Sequence, residues 1–377
     1  MLIIDGDYPM AYGAIDLNRD LTQPIAEVRT AQDTSGEHER WPASGTMASI
    51  PEMRRGKIAV ALVKVAGRIQ RVNSPIWGYR SGEIAYAAAQ AHLAYYRILE
   101  RRGFARILRT GQDFNEHIRT WLDATNPSDS EPSSTDYDDL PIGMVIGMEG
   151  ADPILWPEHV HEWWESGLRT VNLAHYGVST YAHGTGRPGE LLPPAKPLLR
   201  EMEALGMILD LTHTADEAFR SAMEAFSGPV MASHQNCRAL VSGERQFSDE
   251  QLKAILERGG VIGASMDTWM LYAEGNIDWG GEIPARRSRF PREAVTLEHL
   301  VDHIDHVCQL AGNSEHAAIG GDTDGQGGKD GAPYEVDTVA DYQKVAQVLA
   351  RRGYTQQDIA NVMYRNWQQF YEKWLPA

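Results

Sequence analysis

Residues 206–234 read GMILDLTHTADEAFRSAMEAFSGPVMASH, and this stretch decides the fold. Each end is a short apolar run that closes on a histidine, His213 in the first and His234 in the second. The runs predict two strands of a buried parallel sheet, because the spacer at 214–227 has the apolar period of a crossover helix. The two imidazoles are then expected at the same end of neighbouring strands. In a β/α barrel, that end carries the catalytic residues.

Further apolar runs extend this pattern to eight candidate strands. The runs begin near residues 2, 58, 143, 170, 207, 229, 260 and 317, with helical segments between most of them. Eight parallel strands with helical crossovers predict an α/β protein whose architecture is a (β/α)8 TIM barrel.

The chain carries no Pro/Gly/Ser linker that would divide it, so we expect a single barrel domain over residues 1–377. Within it, residues 124–141 read ATNPSDSEPSSTDYDDLP. Pro, Ser and Asp dominate this stretch, which predicts an exposed acidic loop inside the domain.

Composition narrows the classes of partner and the compartment. A net charge of -17 argues against nucleic acid or an anionic membrane as partner, because an acidic surface is repelled by both. The two cysteines, Cys237 and Cys308, imply no disulfide framework. The opening MLIIDGDYPM has no cationic region before an apolar core, and no apolar run is long enough to span a membrane. We therefore expect a cytoplasmic protein.

Side chains that bind metals or carry protons follow many of the apolar runs. A lone histidine at a strand end is more often a hydrogen-bonded core residue than a ligand. One carboxylate and two imidazoles together, however, match a catalytic zinc that keeps a fourth position for water. Such water is acidified enough to attack a carbonyl, and a nearby carboxylate can carry the proton, which predicts amide or ester hydrolysis. The residues at these positions are Asp5, Asp7, Glu149, His175, His213, His234, Asp322 and Asp324.

The chain resembles the membrane (renal) dipeptidase family of metallopeptidases, peptidase family M19, within the amidohydrolase-like barrels of metal-dependent hydrolase type. The resemblance implies a metallohydrolase that cleaves dipeptides with zinc-activated water, and a possible homodimer. The segments that carry it occur in the family's order over nearly the whole length: IPEMRRGKIAVALV, GMEG, LRTVNLAH, LLREMEALGMILDLTH, GPVMASHQNCRAL, GGVIGAS, LVDHIDHV, IGGDTDG and GYTQQDIANVMYRN.

The resemblance also implies metal-binding roles for four residues. Glu149 of GMEG corresponds to the carboxylate that bridges two zinc ions in the family. His213 and His234 correspond to ligands of one ion. Asp322 of GGDTDG corresponds to the aspartate that contacts the other ion and handles the proton, so it is both a metal-ligand and a catalytic candidate.

Three more residues are candidates for binding the substrate. The resemblance places His175 of NLAH at the reacting carbonyl and Arg245, eleven residues after His234, at the substrate's free carboxylate. A planar two-pronged donor suits a carboxylate. Tyr8 follows the first strand and could line the pocket, although core packing is the default for such a residue. Other aromatic residues after strand ends would favour a cationic ligand if several faced the metal, namely Tyr12, Tyr176, Tyr181, Trp269 and Trp279.

The first strand departs from the family's pattern. Aligned on Asp5, the family's DGHxD motif is replaced here by Asp7 where it has histidine and by Pro9 where it has the second aspartate. Proline cannot bind a metal, and Asp7 is a harder oxygen donor than histidine.

Three outcomes follow from this departure. The favoured one is a hydrolase with one zinc ion, held by Glu149, His213 and His234 and served by Asp322 as base. The second is a two-metal site whose other ion, held by Asp7, Glu149 and Asp322, prefers oxygen ligands as Mn or Mg do. The third is a catalytically silent small-molecule binding protein on an enzyme fold.

Overall fold

A computed structural model describes residues 1–35, 45–125, 137–275, 277–279, 292–324 and 328–377. Within these ranges the chain forms nine strands, and all their residues except Ala66 and Arg106 are buried. The strands are β1 (Ile3–Tyr8), β2 (Ile58–Ala66), β3 (Ala105–Ile107), β4 (Ile142–Glu149), β5 (Leu168–Asn172), β6 (Ile208–Asp210), β7 (Val230–Met231), β8 (Ile262–Ala264) and β9 (Ala317–Ile319).

The strands form a ring of parallel neighbours. β1, β2, β4, β5, β6 and β7 pair in that order, and β8 pairs with β9. A parallel bridge between Ala232 and Ile262 joins β7 to β8. The Asp322 amide donates to the Asp7 carbonyl at 3.0 Å, which joins the end of β9 to β1. The predicted (β/α)8 barrel is confirmed, and its eight strands are those expected from the sequence.

β3 is an additional strand that the sequence pattern did not predict. Its three residues pair with the beginning of β4, where Ala105 lies opposite Ile142. A run of this length carries too few apolar residues to stand out from the helix that precedes it.

Helices connect the strands and cover the barrel. They are α1 (Ile25–Ser35), α2 (Ile50–Arg55), α3 (Gly82–Arg101), α4 (Gly111–Thr125), α5 (Val160–Glu165), α6 (Ala195–Leu205), α7 (Asp216–Ala225), α8 (Asp249–Glu257), α9 (Thr268–Leu271), α10 (Leu297–Ala311), α11 (Gln343–Arg351), α12 (Gln356–Ala360) and α13 (Asn366–Trp374). Short 3-10 turns cover Pro157–His159, Arg292–Ala294, Gly328–Gly331 and Val339–Tyr342, and π-helical turns cover Tyr12–Asp16 and Asn361–Arg365.

α7 is the crossover helix predicted between the two histidines. It begins with two acidic residues, Asp216 and Glu217, which favour a helix N-terminus because of the helix dipole. Ala218, Phe219 and Ala222 form its buried face. The helix thereby returns the chain across the barrel wall, so that β6 and β7 are parallel neighbours and the residues after them share one end of the barrel.

Gly6 allows β1 to pass close to the strands that carry the site. A β-carbon at this position would lie 2.6 Å from the Ser233 carbonyl oxygen and 2.9 Å from that of Ile319. Both contacts are with backbone, which cannot move aside cheaply. The glycine therefore lets Asp5 and Asp7, on either side of it, enter the barrel next to β7 and β9.

The stretch predicted to be an acidic loop is only partly described. Residues 126–136 lie outside the described residues. Of the remainder, residues 124 and 125 end α4. Tyr137 is buried and its ring stacks on Trp121 at 6.1 Å between centroids, so this end of the stretch packs against the protein.

Both cysteines, Cys237 and Cys308, are buried and free. Among the described residues, every helix is too short or too polar to cross a lipid bilayer.

Candidate metal centre

Three buried side chains converge at the carboxyl ends of neighbouring strands. Glu149 is the last residue of β4, and His213 and His234 follow β6 and β7. The Glu149 Oε1 atom lies 3.5 Å from His234 Nε2 and 4.0 Å from His213 Nε2. One ligand atom from each residue lies within 4.8 Å of the others, which is a spacing that one ion can bridge. We call Glu149, His213 and His234 the ligand triad.

Hydrogen bonds to the second ring nitrogen orient both histidines of the ligand triad. Thr185 Oγ1 lies 2.9 Å from His213 Nδ1, and Ser233 Oγ lies 2.8 Å from His234 Nδ1. Metal-binding histidines are commonly fixed in this way, because a partner on one nitrogen sets the tautomer and aims the other. In both residues Nε2 is the nitrogen directed at Glu149.

The surroundings of His234 Nε2 indicate whether a metal ion fits at the ligand triad. This atom is buried and has no hydrogen-bond partner among the described residues. An unsatisfied buried nitrogen costs free energy, and it usually signals a missing water or ion. The donors beside it are a carboxylate and a second imidazole, which form the preferred set for zinc. The residues present therefore fit a metal ion at the ligand triad.

The charges around the ligand triad favour a bound cation. Burial raises the pKa of Glu149. Burial, and then the charge of Arg245, holds the pKa of His213 well below its usual range, so this imidazole is neutral as a ligand must be. Burial alone would lower the pKa of His234, but the charges of Asp7 and Asp322 raise it. A metal ion could replace the proton that these carboxylates attract.

His175 lies at the edge of the ligand triad. Its Nε2 is 3.5 Å from Glu149 Oε2, and its Nδ1 accepts a hydrogen bond from Arg68 Nε at 2.8 Å. Burial and the charge of Arg68 hold the pKa of His175 well below its usual range. Because Nδ1 accepts, the single proton of the neutral ring is on Nε2, which faces the site.

Asp322 approaches the same site from two strands beyond β7 in the ring, on the other side of β8. It follows β9, and Ser265 Oγ donates to its Oδ2 at 3.4 Å. Burial raises the pKa of Asp322 to about 7, which suits a group that gains and loses a proton near neutral pH. His213 and Asp322 both have a positive φ, 67° and 60°, a backbone conformation that is uncommon outside glycine and concentrates at functional sites.

Asp7 belongs to a second group of potential ligands, together with His234 and Asp322. Its Oδ1 lies 3.2 Å from His234 Nδ1, the nitrogen that faces away from Glu149. The same oxygen lies 3.1 Å from the ammonium of Lys64. Asp7 therefore contacts the ligand triad through His234 and also contacts a positive charge of the protein itself.

Lys64 was missed by the sequence analysis, which read the IAVALVKV run of β2 as wholly apolar. Its ammonium contacts four buried polar residues. Burial alone would lower the pKa of Lys64, but Asp210, Asp7 and Glu149 raise it. In turn, burial alone would raise the pKa of Asp210, but the charges of Lys64 and His234, with hydrogen bonds from Ser233 and Lys64, together lower it. A lone lysine in an otherwise apolar buried strand was the available signal, because lysine is almost never buried without a partner.

The candidate substrate-binding residues lie in different surroundings. Arg245 is buried and donates to Gln235 Oε1 at 2.9 Å and to the His234 carbonyl at 3.0 Å, so it lies directly against the ligand triad. Tyr8 is buried elsewhere: its phenol feels the charges of Asp324 and Arg19, and burial raises its pKa well above the usual value.

Asp324, the rival of Asp322 in the sequence, has a structural role. Its carboxylate accepts from the Met47 amide at 2.9 Å and the Ala48 amide at 3.1 Å, and it pairs with Arg19 at 3.4 Å. These contacts hold the segment before α2 and leave Asp322 as the aspartate that approaches the ligand triad.

A group of aromatic rings lies next to His213 of the ligand triad. The Tyr176 ring lies 4.9 Å from that of His213 and stacks on Trp279 at 6.3 Å. Trp269 packs on Trp279 at 5.9 Å. These three of the aromatic residues noted in the sequence therefore form one buried cluster beside the site.

A parallel barrel with a glutamate and two histidines at its strand ends defines a protein built to hold a catalytic metal ion. The sequence profile of the membrane dipeptidase family, peptidase family M19, matches residues 15–373. The chain belongs to this family. The match begins after β1, the strand whose residues depart from the family's pattern.

Individual relatives agree with this assignment. A Schizosaccharomyces pombe protein described as an uncharacterized dipeptidase is 28% identical over 230 residues, which is 60% of this chain and 51% of that protein. The match thus spans about half the length of that relative.

Two solved structures share the fold. One is the dipeptidase AC, a family M19 metallopeptidase, with a TM-score of 0.74 and 19% identity over 100% of this chain and 99% of that chain. The other is a Rhodobacter sphaeroides metallopeptidase bound to a phosphinate mimic of the dipeptide L-Ala-D-Ala. It has a TM-score of 0.74 and 20% identity over 99% of each chain.

Proposed function

We propose that this protein is a dipeptidase that hydrolyses small amides with one zinc ion. The observation that carries the proposal is the convergence of Glu149 Oε1 with the Nε2 atoms of His213 and His234, the latter buried and without a hydrogen-bond partner in the described structure. Family membership and relatives described as dipeptidases support the same activity. The dipeptide mimic bound to the Rhodobacter sphaeroides relative supports a dipeptide as substrate.

The ligand triad would hold the zinc, which when bound supplies an acidified water and polarises a carbonyl. Asp322 takes a proton from the attacking water and returns it to the leaving amine. Its pKa of about 7 lets it do both near neutral pH.

His175 and Arg245 position the substrate in this proposal. The Nε2 proton of His175 is directed into the site and can donate to the carbonyl oxygen as negative charge develops on it. Arg245 binds the free carboxylate of the dipeptide with the N–H groups that remain after Nη1 donates to Gln235 and Nη2 donates to the His234 carbonyl. Tyr8 as a further substrate-binding residue stays a prediction.

The cellular setting is proposed from charge and family. The acidic chain, at a net charge of -17, acts on a small molecule in the cytoplasm and binds neither nucleic acid nor membrane. A homodimer is proposed from the family resemblance.

Purified protein loaded with zinc tests the proposal. We expect hydrolysis of dipeptides, and loss of both zinc and hydrolysis in a His213→Ala variant. The matched control is His161→Ala, which changes a half-exposed histidine that pairs with Glu201 at 2.8 Å. Protein that stays free of metal in zinc-replete buffer would instead support a silent binding protein.

A second substrate class is favoured by the aromatic cluster of Tyr176, Trp269 and Trp279. Aromatic faces attract cations, so an amide with a cationic side chain or a methylated amine could bind beside His213. This preference is tested by comparing kcat/KM for dipeptides that carry a lysine side chain with kcat/KM for those that carry its uncharged isostere, norleucine. A preference for lysine of about fivefold corresponds to the ~1 kcal/mol typical of such contacts.

A further inference from the structure

The ammonium of Lys64 is a buried positive charge that is held by polar side chains of the protein. Its Nζ lies 2.9 Å from Asp210 Oδ2, 3.1 Å from Asp7 Oδ1, 3.1 Å from Asn172 Oδ1 and 3.3 Å from Ser233 Oγ. The exposed fraction of the side chain is 1% for Lys64, 1% for Asp7 and 0% for Asp210. We call Lys64, Asp7, Asp210, Asn172 and Ser233 the lysine cluster.

The lysine cluster lies on the other side of His234 from Glu149. Asp7 Oδ1 and Ser233 Oγ both approach His234 Nδ1, at 3.2 and 2.8 Å, and both also contact the Lys64 ammonium. The arrangement resembles a carboxylate–histidine pair behind a metal ligand. A partner on Nδ1 aims Nε2 at the ion; here Ser233 Oγ makes the hydrogen bond to Nδ1, and the Asp7 carboxylate adds its negative charge from 3.2 Å.

Asp7, His234 and Asp322 lie close enough together to hold a second ion, and Asp7 Oδ1 makes no hydrogen bond within the described structure, but three features oppose an ion there. Pro9 offers no ligand, and the His234 nitrogen nearest Asp7 already bonds Ser233. Asp7 Oδ1 is shared with an ammonium at 3.1 Å, so an ion bound to it would lie next to a buried positive charge. Two cations on one carboxylate oxygen repel each other strongly where water cannot screen them.

We propose that the Lys64 ammonium takes the place of the second metal ion, and that Asp7 is a positioning residue for His234 and not a metal ligand. This inference rests on the proposed one-zinc hydrolase. Asp7 stands where the family's motif has histidine, and Lys64 of β2 supplies a cation 3.1 Å from this carboxylate.

The number of ions bound by the wild-type protein is the first test. The protein is dialysed against Zn²⁺ and millimolar Mn²⁺ and analysed by mass spectrometry of its metals. One ion per chain is expected. Two ions would overturn this inference and the count of one zinc but leave metal-dependent hydrolysis standing, whereas zero would overturn the hydrolase and with it this inference.

Asp7→Asn separates a positioning role from a ligand role. We expect one zinc per chain, as in the wild type, bound roughly 10–100-fold more weakly, because His234 loses its charged partner. If Asp7 were instead a metal ligand, the wild type would bind two ions per chain and the Asp7→Asn variant would bind one. Unchanged zinc affinity would overturn the positioning role.

Lys64→Met tests the replacement directly. We expect the variant to bind a second ion in millimolar Mn²⁺ and to gain thermal stability from it. If the variant does not fold, Lys64→Met/Asp210→Asn removes one charge of each sign and keeps the cluster's net charge. Lys344→Met is the control, since Lys344 pairs with Asp341 at the surface and should change neither ion count nor response to Mn²⁺. Folded Lys64 variants that bind no second ion would overturn the inference.

Discussion

The ligand triad and the lysine cluster lie on opposite sides of His234 and differ in the origin of their positive charge. In the ligand triad, Glu149 and two imidazoles converge with His234 Nε2 left unsatisfied within the described structure. In the lysine cluster, two carboxylates converge on an ammonium at 2.9 and 3.1 Å. In the proposed enzyme, the carboxylate on one side of His234 is balanced by an exchangeable ion, whereas those on the other side are partly balanced by a side chain of the protein.

Removing a member of the ligand triad should have the largest effect. Glu149→Gln keeps the size of the side chain but removes the negative ligand, so we expect zinc content near zero and no detectable hydrolysis. Metal analysis and dipeptide turnover measure this. The fold should survive, because Lys64 keeps Asp7 and Asp210 neutralised. Zinc retained at one ion per chain would show that the ligand triad is not the metal centre.

Breaking the lysine cluster should reduce stability more than metal affinity. Asp210→Asn leaves the Lys64 ammonium with one carboxylate, and breaking a buried ion pair in this way costs about 3 kcal/mol of unfolding free energy. Urea denaturation of zinc-free protein measures it. The control Asp216→Asn breaks a half-exposed pair with Arg238 and should cost less than about 1 kcal/mol. Equal losses in the two variants would contradict a fully buried cluster.

Thr185→Val should affect the ligand triad alone. His213 Nδ1 loses its partner at 2.9 Å, so its ring is less well aimed and zinc affinity should fall roughly 10–100-fold with the ion count unchanged. Competition with a chelating dye measures the affinity. Thr120→Val, on the exposed face of α4, is the matched control. Zinc affinity equal to that of the wild type would mean that Thr185 does not orient the ligand.

Ser233→Ala should give the smallest effect, and it should appear on both sides. Ser233 Oγ contacts His234 Nδ1 and Lys64 Nζ, but Asp7 remains a partner for each. The loss of one shared hydrogen bond is expected to cost about 1 kcal/mol of unfolding free energy. Denaturation with and without zinc measures both sides. A loss of stability seen only with zinc, or only without it, would show that Ser233 acts on one side of His234 and not on both.

Much of the fold was predictable from the sequence because buried parallel strands are continuous apolar runs. The two strands that end at His213 and His234, and α7 between them, were located correctly by this pattern. β3 was not, because three residues of one helix–strand connection carry no period of their own. The burial of Tyr137, inside the predicted acidic loop, was not anticipated, because its packing on Trp121 depends on the tertiary structure.

The candidate site was predictable where its residues follow strands, and not where they come from elsewhere. Glu149, His213 and His234 could be chosen by position, and the structure brings them together. Thr185 precedes the histidine that it orients by 28 residues, and no local spacing links the two. Arg68 lies in the segment after β2 and reaches His175 only through the fold.

Lys64 belongs to β2 itself and is therefore present from the moment the barrel closes. Unlike a bound ion, this charge cannot be removed by a chelator or lost when the supply of transition metals falls. A protein made during zinc shortage would keep a neutralised core and remain ready for loading. Activation would then require the binding of one zinc ion per chain. The fraction of active molecules would therefore rise linearly with the free zinc concentration while that concentration is low.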